Sequence, residues 1–248
     1  RGQRYIGLTP EGERVLSWAR LILDNWQSLQ QELGQIRNRK GELVGRMVLG
    51  VIPSALPMVA LLTNAMQAAH PRVDFTVLSH ASGDIVRGLN DFSLDAGVVY
   101  EDYEAAEGLL QAPLYKERYC LFVGSGHPLA GRPSITWLEA AQEPLCLLTP
   151  NMQNRRIVDA AFAAANARPA PRLETNSIMN LFASVRAMGL ASIMPEYFID
   201  TVGPLQGIST IPLADPVVEH GVGLMALDRE PQSPLITALF AAARSLKA

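Results

Sequence analysis

Four short stretches place hydroxyl and amide side chains at the ends of apolar, strand-like runs: Pro53-Ser54, Ala81-Ser82, Thr149-Pro150-Asn151 and Thr175-Asn176-Ser177. Each leads into a helix-like stretch, so each reads as a strand-to-helix turn. The first N–H groups of a helix lack partners within it, and the helix dipole makes that end partly positive. Such a helix start suits a polar or anionic small molecule. In an open α/β sheet these turns gather at the carboxyl ends of the strands, where ligands bind. A single Ser or Asn there is ordinary N-capping; four in one topology point to a shared cleft.

Catalytic machinery is not visible. The chain has no Gly-x-Ser-x-Gly elbow, no phosphate loop and no His-Glu-x-x-His. Its four histidines, His70, His80, His127 and His220, show no metal-ligand spacing. His127 precedes Pro128 in a turn and His70 precedes Pro71 at a helix end. Asp84, Asp91 and Asp95 read as capping or surface acids rather than an acid–base pair. Cys120 and Cys146 lie in apolar runs and read as buried structural thiols. No catalytic residue, metal or cofactor is therefore expected.

The elements that position the turns alternate. Met47–Ile52 reads as a strand, Leu56–Ala69 as a helix, Val73–Leu78 as a strand, Ser82–Asn90 as a helix and Leu94–Tyr100 as a strand. The series restarts with strands at Tyr119–Val123 and Leu145–Leu148, then a helix at Asn151–Asn166. A strand at Arg172–Thr175, a helix at Ser177–Met188 and a strand at Ala191–Met194 follow. Val222–Leu227 is a late strand, and Ser233-Pro234 opens a last helix. This is the pattern of a mostly parallel sheet flanked by helices, in two successive series and hence two lobes.

A different element precedes them. Thr9-Pro10-Glu11 is a helix start, with a capping hydroxyl, proline in the first turn and an acid at the positive end. After it, apolar residues recur at Val15, Ala19, Ile22, Trp26, Leu29, Leu33 and Ile36, spaced by four and three as in a coiled-coil seam. A helix from Thr9 to Arg37 would be about 43 Å long. Such a stripe needs covering, by a second copy or by the body of its own chain. The basic, glycine-punctuated stretch Arg37-Asn38-Arg39-Lys40-Gly41 looks like a linker and favours a second copy.

The totals set bounds. A length of 248 residues suits about two domains, and 48% apolar against 18% charged residues can form a sizeable core. A net charge of -3 argues against a wholly nucleic-acid-binding surface. No apolar run approaches the roughly 20 residues that span a bilayer. Residues 1–10 show no apolar leader, and scarce cysteine fits a reducing cytoplasm.

Several stretches together resemble LysR-type transcriptional regulators. Arg1-Gly2-Gln3-Arg4-Tyr5-Ile6-Gly7-Leu8-Thr9-Pro10-Glu11-Gly12 is similar to the end of that family's winged helix-turn-helix wing and the start of its linker helix. Further markers, in order, are Gly88-Leu89 with Leu94-Asp95-Ala96-Gly97, the Gly126-His127-Pro128-Leu129 turn, and Gly189-Leu190-Ala191-Ser192-Ile193-Met194-Pro195. The resemblance implies a wing remnant at 1–8, a dimerising linker helix at 9–41 and an effector-binding domain at 42–248. It implies a type 2 periplasmic-binding-protein fold, with lobe one at 43–118 plus 223–248 and lobe two at 119–222.

By the same resemblance, an effector contacts the turns at Ser54 and Ser82, the stretch from Thr149 to Gln153, and the turn at Asn176 and Ser177. The run Asn151-Met152-Gln153-Asn154-Arg155-Arg156 offers amides and guanidinium groups for a ligand's polar end; two exposed arginines on a helix are the plainer reading. Tyr100, ending its strand, is placed to enter the cleft or to sit at its rim. The implied partners are a small effector, DNA through the missing N-terminal domain, and a second copy, with tetramers formed from dimers. A periplasmic solute-binding protein and an enzyme with the same core are the alternatives. The seam speaks against the first and the missing catalytic pair against the second.

Overall fold

The computed structural model describes residues 7–37, 43–102, 108–203 and 205–246. The expected wing residues Arg1–Ile6 and the linker residues 38–42 lie outside them.

The first helix forms as its start signal predicts. α1 spans Pro10–Arg37, and the Thr9 hydroxyl accepts the Gly12 amide at 3.1 Å. Its heptad stripe does not fold onto the body of the chain: Val15, Ile22, Trp26, Leu29 and Leu33 are 42–68% exposed. Ala19 is exposed too, while the Ile36 side chain lies outside the described ones. A different face meets the sensor body. Arg14, Ser17, Trp18 and Leu21 form a groove with Phe92, Arg20 pairs with Asp91 at 3.4 Å, and Asn25 accepts from Arg229. At ~100° per residue, the two stripes lie roughly a third of a turn apart around the helix.

Beyond α1 the chain alternates as expected, through β1 (Val44–Val51), a 3-10 turn (Pro53–Ala55), α2 (Leu56–Ala69), β2 (Arg72–Ser79), α3 (Ser82–Asn90) and β3 (Ala96–Tyr100). A long strand, β4 (Leu109–Gly124), leads to β5 (Ile135–Thr136), α4 (Trp137–Ala140), β6 (Leu145–Leu148), α5 (Gln153–Ala164), β7 (Leu173–Thr175) and α6 (Ile178–Met188). The chain closes with β8 (Ala191–Pro195), α7 (Tyr197–Val202), β9 (Ile208–Ala214), β10 (Glu219–Leu227) and α8 (Pro234–Ser245). β3, β6 and β8 are buried along their whole length, which is why they read as unbroken apolar runs.

Hydrogen bonding sets the strand order β2-β1-β3-β10-β4-β8-β6-β7, with β9 beside β4 and β5. Parallel pairing joins β1 to β2 and β3 and β6 to β7 and β8. β10 runs antiparallel to β3 and β4, and β4 runs antiparallel to β8 and β9. β4 thus serves two sheets, pairing with β10 through Leu109–Arg118 and with β8 and β9 from Tyr119 onward. Its first half escaped the sequence reading because Pro113 breaks the strand pattern. The register shifts there, between Val222 and Gly223 on the partner strand, so a residue without an N–H fits the bulge. β5, α4, α7 and β9 were also not anticipated, being short or weakly patterned.

Close packing in the first unit depends on missing side chains. Ile85 and Leu89 of α3 are fully buried over β1 and β3, and a Cβ on Gly97 would run into the Cγ2 atom of Ile85. Ile85 branches next to its own backbone and cannot swing clear. Gly97→Ala should therefore lower stability by about 1–3 kcal/mol, read as a shift of the urea midpoint at unchanged slope.

Candidate functional site

The four turns differ in how they use their hydroxyls. At the last, Ser177 caps α6, its Oγ accepting from the Asn180 amide at 3.4 Å. The Ser82 and Thr149 turns do otherwise. Ala81 is the N-cap of α3 and Met152 that of α5, and neither helix start has a side-chain cap bond. Ser82 Oγ and Thr149 Oγ1 are both buried with no hydrogen-bond partner. A buried hydroxyl left unpaired costs roughly 1–3 kcal/mol, so these two atoms are unused capacity at strand ends, one in each α/β series. The backbone around Thr149 is fixed, with its N–H on Thr175 O and its carbonyl receiving the Met152 N–H, both at 3.0 Å.

The remaining turn is tied into a buried network. Ser54, in the 3-10 turn, lies 3.3 Å from the Tyr100 hydroxyl at the end of β3. Tyr100 donates to Glu117 Oε2 at 2.7 Å, and Tyr115 donates to Glu117 Oε1 at 3.0 Å. Asn154, in the first turn of α5, donates from Nδ2 to the Tyr100 oxygen at 3.1 Å, bridging the β6–α5 corner of one series to β3 of the other. Ser54, Tyr100, Glu117 and Asn154 are all buried. Burial pushes the Glu117 carboxyl up to about 7, against the pull of hydroxyls from Tyr100, Ser54, Tyr115 and Tyr119. The same burial, and the nearby carboxylate, hold the Tyr100 and Tyr115 hydroxyls protonated. Tyr115 in turn stacks on Tyr197 of α7 at 4.0 Å between ring centres.

The other expected residues spread around this centre. Asn151 is exposed, Gln153 half-buried, and Met152 buried in an apolar cluster with Phe182 and Leu148. Asn176 and Ser177 line an open groove of about 600 Å³ with Pro53, Leu56, Pro57 and Ser79, drawing its walls from both series. Arg155 is occupied elsewhere: Nε reaches Asp159 at 2.8 Å, and Nη1 reaches Leu148 O at 2.7 Å and Glu174 at 2.5 Å. Its guanidinium fastens α5 to β6 and β7, so it is not the ligand-selecting group the sequence suggested. Asp91 accepts the Ser93 amide in the turn after α3, and Asp95 accepts the Val48 amide of β1, tying its loop to that strand. Both cysteines are buried and neither is in a disulfide.

Glu117 and Tyr115 were missed. Tyr115, Glu117 and Tyr119 alternate along β4, which puts an acid and two phenols on one face. That alternation was available in the sequence, but only to a reading that had extended the strand back past Pro113.

Two α/β units joined at β4 and β10, with strand-end turns facing a groove, define a two-lobed ligand-binding domain. Residues 40–247 match the family model described as the LysR substrate binding domain, and the chain belongs to that family. LysR-family proteins are transcription regulators rather than enzymes, which counts against the enzyme alternative. A "Probable nitrogen assimilation transcriptional activator" from Synechocystis is 25% identical over 79% of this chain. The chain spans 63% of that relative's length. A full-length OxyR variant from Pseudomonas aeruginosa superposes with a TM-score of 0.77 at 21% identity, covering 98% of this chain and 81% of that one. The effector-binding domain of QuiR in complex with shikimate superposes with a TM-score of 0.69 at 21% identity, covering 82% of this chain and 98% of that one. At such identities the two structures establish the fold. Among the described residues, no helix is long and apolar enough to cross a membrane.

The raised Glu117 carboxyl has a consequence for stability. A carboxyl whose folded value lies above its unfolded one near 4.5 favours the fold fully below that lower value. The contribution is lost as pH rises toward about 7. Glu117→Gln, which keeps a donor and an acceptor without a charge to desolvate, should melt higher than the parent at pH 8. Near pH 4.5 the two should melt together. Thermal unfolding across that range checks both points.

Proposed function

We propose that this chain is the effector-sensing and dimerisation part of a ligand-responsive, DNA-binding transcriptional regulator of the cytoplasm. A small polar or anionic metabolite binds between lobe one (43–118 plus 223–248) and lobe two (119–222). The observation that carries this reading is the pair of buried, unpartnered hydroxyls, Ser82 Oγ and Thr149 Oγ1, at strand-end turns of the two lobes. Around them, Ser54, Tyr100, Asn151, Met152, Gln153, Asn154, Asn176 and Ser177 supply shape and further polar contacts. The shikimate bound by QuiR is a small carboxylate with hydroxyl groups, which suits such a lining. Thiol chemistry is a poorer sensor here, because the thiolate is the reactive form and burial pushes the Cys146 thiol up.

Ligand acts through its differential affinity for two lobe arrangements. In the whole protein, two chains pair along Val15, Ala19, Ile22, Trp26, Leu29, Leu33 and Ile36, and such dimers can assemble into tetramers. A change in the sensor then reaches α1 through Arg20–Asp91 and Asn25–Arg229 and moves the winged helix-turn-helix domains on DNA.

A thermal-shift screen against small carboxylates, inorganic anions, amino acids and aromatic acids tests the cleft, since ligand binding to the native state raises Tm by mass action. An active compound should raise Tm by several degrees, and Ser82→Ala and Thr149→Val should abolish its effect. Without ligand both variants should be as stable as the parent or more so, because each removes an unpaired hydroxyl. If an active compound works equally well on both variants, the site lies elsewhere. Replacing Ile22 and Trp26 together with Asp should convert a dimer to a monomer in sedimentation velocity while the sensor keeps its melting temperature. A dimer that survives the double change would remove the seam from the interface.

A further inference from the structure

The Ser54–Tyr100–Glu117–Asn154 network has a direction, and one proton reverses it. With Glu117 ionised, both carboxylate oxygens accept, and Tyr100 and Tyr115 each donate to one of them. The Tyr100 oxygen then accepts from Asn154 Nδ2 and from Ser54. The only hydroxyl hydrogen of Ser54 is spent inward, and its lone pairs are what it can offer a ligand. Put one proton on Glu117 Oε2 and the order inverts. Glu117 donates to Tyr100, Tyr100 donates to Ser54, and the Ser54 hydrogen is released. Asn154 keeps its bond in both states. No atom needs to move far, because every pair already lies at hydrogen-bond distance.

We infer that a carboxylate ligand is received at the Ser54 turn with uptake of one proton on Glu117, the buried acid setting whether that turn presents a donor or an acceptor. This rests on the cleft being the ligand site. Glu117 is a positioning residue: it is fully buried and acts through Tyr100. Its neighbours permit the proton. Among the described residues no lysine or arginine faces it, the groups against it being the hydroxyls of Ser54, Tyr100, Tyr115 and Tyr119. Tyr197 of α7 stacks on Tyr115. His220 sits opposite it on β10, edge-on to Tyr100 and paired with Asp102 at 3.0 Å. Lys116 and Arg118 flank it along the chain but pair with Glu219 on the opposite face of the strand, beside Glu196. The value of about 7 for the Glu117 carboxyl places the exchange within the working range of a cell.

The sign is fixed by linkage. A ligand that prefers the protonated form binds more weakly as pH rises above about 7, by roughly tenfold per pH unit at the limit. Carboxylate ligands stay ionised throughout that range. Glutamine presents the same donor at every pH, so Glu117→Gln should hold the low-pH affinity without the slope.

The first measurement needs no ligand. Infrared spectra of the whole chain should show a buried carboxylic acid C=O band that fades as pH rises from 6 to 8 and is missing from Glu117→Gln. Its absence from the parent overturns the inference and leaves the cleft reading standing. The second measures thermal shifts with benzoate, succinate and glucose at pH 6 and pH 8.5. A larger carboxylate shift at pH 6, retained in His220→Gln and levelled in Glu117→Gln, is the expected result. Equal carboxylate shifts at both pH values, loss of the difference in His220→Gln, or a shift with glucose alone would each overturn the proton-coupled carboxylate. Should none of the three shift the parent, the carboxylate assignment falls, while the cleft itself answers to the wider screen and the Ser82 and Thr149 variants.

Discussion

A carboxyl group placed where water cannot reach it must be given hydrogen bonds or a proton, and much of this sensor is arranged around that demand. Glu117 lies on β4 just before the strand changes partners, fully buried. Tyr100 and Tyr115 come to it from β3 and from β4 itself, and Asn154 comes to Tyr100 from the far lobe. The group costly to bury therefore fixes the end of β3, the middle of β4 and the start of α5 relative to one another. Apolar side chains in the same place could fill the space without specifying which atoms meet.

The continuity of β4 explains how two lobes share one domain. Its first half is bonded to β10 and its second to β8 and β9, so the lobes are joined by backbone that is itself part of both sheets. Any relative movement has to be taken up around Arg118 and Tyr119 and on the return from β9 to β10. The Glu117 network borders that point, which puts a buried acid beside the backbone that joins the lobes.

Much of the architecture was legible because local signals agreed with tertiary ones. Thr9-Pro10-Glu11 starts a helix, the apolar runs at Ala96–Tyr100, Leu145–Leu148 and Ala191–Pro195 become buried strands, and four turns sit where strands meet helices. Harder to read was anything whose meaning comes from a partner distant in sequence. Pro113 looks like a stop until β4 bulges at Leu114 beside it, against Val222 and Gly223 of β10. Arg155 looks like a free guanidinium until Glu174, 19 residues on, is folded against it. Ser82 and Thr149 look like caps, and only the folded backbone reveals that neither hydroxyl is used. An unpaired atom leaves no trace in the order of residues.

The third of a turn between the two working faces of α1 has a mechanical meaning. If the seam and the sensor contact lay on opposite sides of the helix, a sensor pressing on it would push a paired helix straight at its twin, and the pair would resist by compression. Here the contact made through Ser17, Leu21 and Asn25 lies to the side of the Ile22–Trp26 stripe. A force delivered there acts largely tangentially. Two sensors related by a two-fold axis would apply it in the same rotational sense, so a pair joined along that seam would behave as a shaft under torque, passing on an angle rather than a separation.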